Sequence, residues 1–403
     1  AASRLTPVEL PLEPAYTPAS DVSVIIPTFG AGVEFEHSIR TFLDNEPLEI
    51  IIVSTVSMKA SLLPLISRIA DSSPTVCTRI RALFVPSPGK RRQLARGIRE
   101  AEGGILVLAD DDVFWQPSTL RLMLACFEDE QVAGVGTIHE GRRPGGPKAI
   151  GFSTVWEHLA DCRLQRRAHQ IAAMNYLDAS VTCLSGRTAA YRASAIKQSR
   201  FLEAFTNDYW MGKYLLDSGD DTFLTRHLLR EGWKIKIQTH PDAVIATTLE
   251  PSSRFMLQVL RWSRNATRSY LRCIFCIPIL WRTHPLLLLE MALALVNPIL
   301  KLMELAMLAS CWYTWVCSEF QNEPGLENAR PRLDLSNEMF GVALMSARAL
   351  LLIQKLCMGD DSTKLFFAQY LFNFLYPFVR VYTSLTLHKT EWGSRSNRVA
   401  GSA

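Results

Sequence analysis

Four short apolar runs dominate the first quarter of the chain: Val22 to Pro27, Glu49 to Val53, Ile80 to Val85 and Gly104 to Ala109. Between them lie three segments of helical pattern, Glu34 to Leu43, Lys59 to Ala70 and Lys90 to Glu102. The runs are short and bounded by Gly or Pro, so all four read as strands, Glu49 to Val53 and Gly104 to Ala109 as buried ones. A β-α-β-α-β-α-β order of this kind predicts an α/β fold with a doubly wound, mostly parallel sheet. In such sheets ligands bind beyond the carboxyl ends of the strands. The fourth run ends there in Asp110-Asp111-Asp112. Three carboxylates in a row repel one another unless a cation compensates. A hard divalent ion with oxygen ligands, Mg2+ or Mn2+, is the expected compensation.

Several classes are disfavoured. No G-x-G-x-x-G follows the first strand, and no G-x-x-x-x-G-K-[ST] occurs, which counts against nicotinamide and P-loop chemistry. The net charge of +4 is too small to argue for nucleic acid. The basic residues are clustered instead. Pro88-Gly-Lys-Arg-Arg-Gln93 opens a helix, whose N-terminus attracts anions, and Lys90 and Arg91 strengthen that attraction.

Further along, Pro117 to Phe127 reads as helix, Gln131 to Thr137 as strand, Gly141 to Pro147 as a flexible loop and Phe152 to Met174 as helix. A short strand is expected just before Leu184, with Ser185-Gly186 after it allowing a backbone to approach a ligand. A second acidic site, Gly219-Asp220-Asp221, opens a helix running to Glu231. Acids at a helix start often serve only as caps. Gln258-Val-Leu-Arg261-Trp262 lies on an amphipathic helix whose Arg261, Arg264, Arg268 and Arg272 form one basic stripe, expected to face lipid headgroups.

Three apolar zones follow, at 286–316, 340–358 and 365–387, each near the ~20 residues that span a bilayer. Asn297-Pro298 breaks or kinks the first, giving three or four expected spans. Glu290, Lys301, Glu304, Arg348 and Arg380 are expected to face protein or an aqueous path. The basic tail after His388 favours the cytosolic side. Nine scattered cysteines, an odd number, suggest reduced thiols and a cytosolic catalytic face. On that topology the sequon Asn265-Ala-Thr267 stays unglycosylated.

Together these motifs resemble the membrane-bound processive family-two glycosyltransferases: hyaluronan, chitin and cellulose synthases and fungal polysaccharide synthases. The carrying residues are Asp110-Asp-Asp112 as D-x-D, Ser185-Gly186, Gly219-Asp-Asp221, and Gln258-Val-Leu-Arg-Trp262 as Q-x-x-R-W. Gly89-Lys-Arg91 and Trp392-Gly-Ser-Arg395 are similar to hyaluronan synthase segments. The match covers Val22 to Arg272 well and the tail loosely.

The resemblance implies a GT-A fold that binds a UDP-sugar and inverts its anomeric centre, with a glycan acceptor and a lipid bilayer as partners. Asp112 would ligate Mg2+ or Mn2+, and Asp110 would help hold the donor. Lys90, Arg91 and Arg261 would meet the diphosphate, and Pro27 and Thr28 would line the donor site. Asp221 would be the general base beside Asp220. Ser185 and Gly186 would line the acceptor site, while Gln258 and Trp262 would close the centre, the indole also serving the acceptor.

The implied organisation is an irregular lead-in over 1–20, a GT-A domain over 21–250, an interface helix region over 251–283, a transmembrane region over 284–388 and a cytosolic tail over 389–403. The implied location is integral to the plasma membrane, with the catalytic domain in the cytosol. One departure stands out. The family places acids after the second strand, where this chain has Ser54-Thr55, so hydroxyls or backbone near Pro27-Thr28 replace a carboxylate contact to uracil. The alternatives are a ceramide-type lipid glucosyltransferase, which uses similar motifs, and a catalytically silent membrane scaffold.

Overall fold

A computed structural model describes residues 6–30, 32, 34–71, 77–142, 154–320 and 363–390. The chain divides into two compact units, Ala1–Ala292 with Thr386–Ala403, and Leu293–Leu385.

In the first unit, β1 (Val22–Pro27), α2 (Phe35–Leu43, after the single turn α1, Pro18–Asp21), β2 (Glu49–Thr55), α3 (Lys59–Asp71), β3 (Arg79–Val85), α4 (Lys90–Glu100) and β4 (Ile105–Ala109) alternate as the apolar spacing requires. Every residue of β1, β2 and β4 is buried. That is the signature of parallel strands covered on both faces. β3 carries Arg79 and Arg81 and lies at the sheet edge, where charge discourages further pairing.

After these come β5 (Val113–Phe114), α5 (Thr119–Ala125), β6 (Val132–Thr137), β7 (His139–Gly141), α6 (Val155–Asp178), β8 (Thr188–Arg192), α7 (Ala193–Ile196) and α8 (Ser199–Thr206). β9 (Tyr209–Trp210), β10 (Tyr214–Leu215), α9 (Asp220–Arg230), β11 (Lys234–Gln238), β12 (Ile245–Thr247) and α10 (Arg254–Cys276) complete the order up to the apolar region. α6 starts at a capping box in which Thr154 and Glu157 satisfy each other's backbone N–H groups.

The described residues form a seven-stranded sheet ordered β11-β6-β8-β4-β1-β2-β3. β1, β2, β3 and β4 pair in parallel, whereas β8 runs antiparallel to both β4 and β6. The sheet is therefore mixed. The short strand expected before Leu184 does not form there; the strand follows the Ser185-Gly186 turn instead, over Thr188–Arg192. The described residues also form a separate three-stranded sheet, β5-β12-β7.

The pleat sends Ile25, Ile51 and Leu106 to one core, against Leu94, Ile98, Leu224 and Leu228, and Val24, Ile26, Ile50 and Val107 to the other, against Phe35, Ile39 and Phe42. Gly97 lets α4 lie close on β1, because a Cβ there would be 2.4 Å from Ile25 Cγ2. Glu49 is fully buried but accepts from Ser23 Oγ (2.8 Å), Glu102 N (2.8 Å), Arg79 (3.1 Å) and Arg81 (2.9 Å).

The basic stripe of α10 does not face outward as expected. Arg268 is buried and donates to the carbonyls of Leu387 and Lys389, Arg264 donates to Thr386 Oγ1, and Arg272 donates to Asp208 and Tyr209 O. Desolvated guanidinium groups need hydrogen-bond acceptors, and these carbonyls and the carboxylate supply them. The sequon is also used inside the fold. Asn265 Oδ1 accepts from Ser218 Oγ and from Arg268, each at 3.0 Å, and Thr267 is buried. Cys273 is buried while Cys276 is exposed, so this C-x-x-C does not form a pair of equivalent thiols.

The short α11 (Leu280–Thr283) leads into α12 (Pro285–Phe320), which runs as one helix through Pro298. Its 285–314 portion is the one segment among the described residues long and apolar enough to cross a membrane, with a mean hydropathy of 1.9. The second expected zone, 340–358, and with it Arg348, lies outside the described residues, as does Trp392 to Arg395. The third corresponds to the helix Thr363–Leu385. Within the second unit Lys301 pairs with Glu304 at 2.8 Å, and Arg380 donates to Ala294 O at 3.3 Å. In the first unit Glu290 accepts from Gln170.

Candidate active site

β1 is flanked by β2 on one side and β4 on the other, so the connections leave the sheet in opposite senses between β1 and β4. This is a topological switch point, where the carboxyl ends of the strands leave a crevice. Pro27-Thr28 closes β1 there, and Asp110-Asp-Asp112 closes β4.

The antiparallel entry of β8 brings the next element to the same edge. Ala109 pairs with Thr188, and Asp110 N donates to Arg187 O at 2.8 Å. Ser185, Gly186 and Arg187 are therefore held against the acids. From the other side, α4 delivers Lys90, whose Nζ lies 2.8 Å from Asp110 Oδ1, 3.2 Å from Asp220 Oδ2 and 3.4 Å from Gly186 O. A Cβ on Gly186 would stand 3.3 Å from the Asp221 Cβ, so this backbone packs directly on the Gly219-Asp-Asp221 turn. Pro27, Lys90, Ser185, Gly186, Asp220 and Asp221 line one small cavity of about 10 Å³.

The three acids have separate tasks. Asp111 is buried and accepts from Thr28 Oγ1 at 2.6 Å, tying the ends of β1 and β4 together. Asp110 faces Lys90. Asp112 is half-buried, and its carboxylate and that of Asp110 act on the Arg187 guanidinium. Burial lowers the Arg187 pKa, and these two carboxylates partly restore it. Among the described residues no group of three His, Cys, Asp or Glu side chains could cage a metal by itself. Two hard carboxylates two residues apart at a strand end, Asp110 and Asp112, fit instead a divalent ion that takes its remaining ligands from a diphosphate.

Gly219 adopts φ +76°, a left-handed conformation natural to glycine, and α9 begins at the next residue. Asp221 Oδ1 accepts from Thr222 N at 2.7 Å. Its pKa is raised, first by burial and then by Asp220, with Lys90 and Arg167 opposing. Burial pulls the Lys90 pKa down, but Asp110 and Asp220 more than offset it and the net shift is upward.

Arg91 lies elsewhere than the expected diphosphate contact. It is buried and donates to Phe205 O, Asp208 Oδ2, Ser218 O and Gly219 O, at 3.0–3.1 Å. Its guanidinium is spent on holding the turn that presents Asp220 and Asp221. On α10, Trp262 receives Arg187 at 5.4 Å and Arg163 of α6 at 5.7 Å from its ring centroid. The Q-x-x-R-W element is thus joined to the Asp110–Asp112 edge through Arg187. Gln258 and Arg261 are half-buried on the same helix.

Sequence reasoning missed Arg187, Arg163, Arg167, Gln93 and His139. Gln93 donates from one amide to both Thr28 O and Val53 O at 2.8 Å, clamping the ends of β1 and β2. Arg167 donates to Cys183 O at 2.9 Å. His139 is buried, and burial followed by Arg187 and Arg167 pushes its pKa down to about 3. The position of Arg187 directly after Ser185-Gly186 was the one available signal. Ser54 Oγ is buried without a protein partner.

Residues 18–265 match the family model described as glycosyltransferase like family 2. A type 2 glycosyltransferase of Gibberella zeae is 32% identical over 96% of this chain and 70% of its own length. A hyaluronan synthase of Streptococcus pyogenes is more distant, 24% identical over 61% of this chain and 57% of its own. A solved mannosyltransferase of Pyrobaculum calidifontis shares the fold, with a TM-score of 0.59 at 18% identity, covering 97% of this chain and 92% of its own. With its GT-A-like mixed sheet and with Lys90, Asp110, Gly186 and Asp220 in contact at one switch point, the chain belongs to glycosyltransferase family 2.

Proposed function

We propose that the protein transfers a hexose from a UDP-sugar to the hydroxyl of a growing glycan at a membrane, with inversion at the anomeric carbon. The observation that carries this reading is the bridge from Lys90 to both Asp110 and Asp220, which joins the donor-side acids to the acid turn.

Asp221, with its raised pKa, takes the proton from the acceptor hydroxyl, and the hydroxyl oxygen attacks the anomeric carbon as the bond to the diphosphate breaks. General-base help of this kind contributes ~10²–10⁴ in rate. Lys90 and Arg187 stand where negative charge develops on the departing diphosphate, a preorganised electrostatic role. A divalent ion held by Asp112, with Asp110 beside it, would supply further neutralisation of that charge. The Pyrobaculum mannosyltransferase of the same fold holds GDP-mannose and Mn2+, which supports metal dependence. Trp262, steadied by Arg163 and Arg187, offers an apolar ring face to a sugar at the acceptor side.

Membrane attachment is supported by α12, where Leu286, Leu289, Leu293, Val296, Ile299 and Leu300 are all exposed. We assign the helix Thr363–Leu385 to a further span and the catalytic unit to the cytosolic face. A single-sugar lipid product is the competing reading, favoured by the same exposed apolar surface.

The test is a donor screen with Mn2+ and radiolabelled UDP-glucose, UDP-GlcNAc, UDP-GlcA, UDP-galactose and GDP-mannose, followed by sizing of the product. Polymer from a UDP-sugar is expected. A single-sugar lipid would replace the polymer assignment, and absence of transfer or hydrolysis from every donor would favour a silent scaffold.

A further inference from the structure

α9 serves two compartments. Asp220, Asp221 and Leu224 line the catalytic cavity, while Phe223, Arg226, His227 and Arg230 line a second, much larger one of about 730 Å³ between α8, α9 and the end of α10. The second set recurs at three- and four-residue spacing, the other face of the same helix. Nothing in the chemistry of sugar transfer uses it.

Its charge is unbalanced. Arg200, Arg226, Arg230 and Arg272 line the cavity, against only Asp208 and Glu231. The imbalance is sharper at the inner end. Asp208 is buried, and its one carboxylate serves Arg272 (2.6 Å), Arg91 (3.0 Å) and Arg226 (3.7 Å). Arg226 therefore has a long ion pair and a 3.3 Å contact to Ser269 Oγ, with side-chain exposure of 12%. Burial first, and then Arg272 and Arg91, bring its pKa down to about 10. A guanidinium withdrawn from water without a full complement of acceptors is costly, and an anion with several oxygens relieves that cost. Planar guanidinium forks suit phosphate oxygens in particular. The walls also carry Phe201, Phe223 and Ile277, so an apolar portion of a ligand finds surface there.

We propose that this cavity is a second binding site, separate from the donor site, for a phosphate-bearing ligand held by Arg226 and Arg272 inside and by Arg200 and Arg230 at the rim. Two sources share that chemistry, a soluble phosphate and a phospholipid headgroup. The exposed Phe275, Ile279 and Trp281 lie just beyond the cavity in sequence, where a lipid would meet them. The site is wired to the catalytic turn. Asp208, which holds Arg272, also holds Arg91, and Arg91 holds Ser218 O and Gly219 O. An anion drawing Arg272 and Arg226 toward itself changes the load on Asp208 and so on the turn carrying Asp221.

The experiment uses the full chain in detergent, free of divalent metal, with saturating UDP in the donor site. Thermal midpoints are followed as inorganic pyrophosphate is added, and in parallel as phosphatidic acid is added to phosphatidylcholine micelles. Wild type and Lys90→Met are expected to respond alike to at least one of the two. The double variant Arg200→Ala/Arg230→Ala, which spares the buried pairs, is expected to bind about tenfold more weakly with an unchanged midpoint in the absence of anion. A response to pyrophosphate identifies a soluble ligand, and a response to phosphatidic acid alone identifies a lipid. A response lost in Lys90→Met but kept in the arginine double variant would return the anion to the donor site and overturn the proposal. So would no response to either anion in wild type.

Discussion

The Lys90 ammonium lies 3.2 Å from Asp220 Oδ2, binding the first turn of α4 to the first turn of α9. Those helices are 130 positions apart at their starts, and both carry charge to the cavity that contains Asp221. Both partners also act on the proposed base Asp221, after its burial: Asp220 raises its pKa and Lys90 lowers it.

Asp221→Asn keeps the size of the side chain and removes its basicity. Transfer is expected to fall by ~10²–10⁴ while UDP still binds. Single-turnover kinetics beside a UDP binding titration checks this, and wild-type turnover would refute the base assignment.

The acid limb of the activity profile tracks the Asp221 carboxyl, because only the deprotonated form accepts a proton. Burial and the Asp220 charge raise its pKa, and Lys90 opposes them. Asp220→Asn is therefore expected to move the acid limb to lower pH, and Lys90→Met to move it to higher pH. Profiles of kcat/KM for the two variants should shift in opposite directions; shifts of one sign would show that another group controls the limb.

Arg91→Lys is expected to destabilise the protein by ~1–3 kcal/mol, the usual cost of leaving buried acceptors unsatisfied. An ammonium cannot reach Phe205 O, Asp208, Ser218 O and Gly219 O together as the guanidinium does. Denaturant unfolding of the two proteins measures it. Stability within 1 kcal/mol of wild type, as an approximate threshold, would remove the structural role given to Arg91.

Glu49 gives a pH signature of stability. Burial alone would raise its pKa, but Glu102 N–H, Arg81, Ser23 and Arg79 outweigh burial and hold it below the ordinary value of 4.5. The folded-state pKa lies below the unfolded one, so the stabilisation is present above the unfolded value and is lost as pH falls through the folded one. Glu49→Gln is expected to be less stable than wild type near neutral pH, with the gap closing in acid. Urea midpoints across that range test it.

Asp112→Ala is expected to weaken UDP binding in Mn2+ while leaving the metal-free affinity little changed. Calorimetric titration with and without the ion separates the two, and an unaltered dependence on Mn2+ would count against Asp112 as a ligand.

The local code was legible wherever a single segment decides its own state. Short Val/Ile/Leu-rich runs bounded by Gly or Pro read as strands, and their alternation with amphipathic helices gave the α/β sheet and its site edge. Asp110 to Asp112, Gly219 to Asp221 and Gln258 to Trp262 were recognisable for the same reason, since each is a short contiguous motif. What no segment contains is its partner. The antiparallel insertion of β8, which sets Ser185-Gly186-Arg187 against Asp110, depends on pairing with residues 79 to 87 positions away and leaves no periodic trace. The inward turn of Arg264, Arg268 and Arg272 was misread because an amphipathic pattern records polarity, and a cation facing carbonyls and Asp208 inside the protein has the same pattern as one facing headgroups. Arg91 belongs to that class too. Sequence placed a charge at a helix start, and only the packing of α8 and α9 around it decided that the charge would hold a turn instead of meeting solvent or ligand.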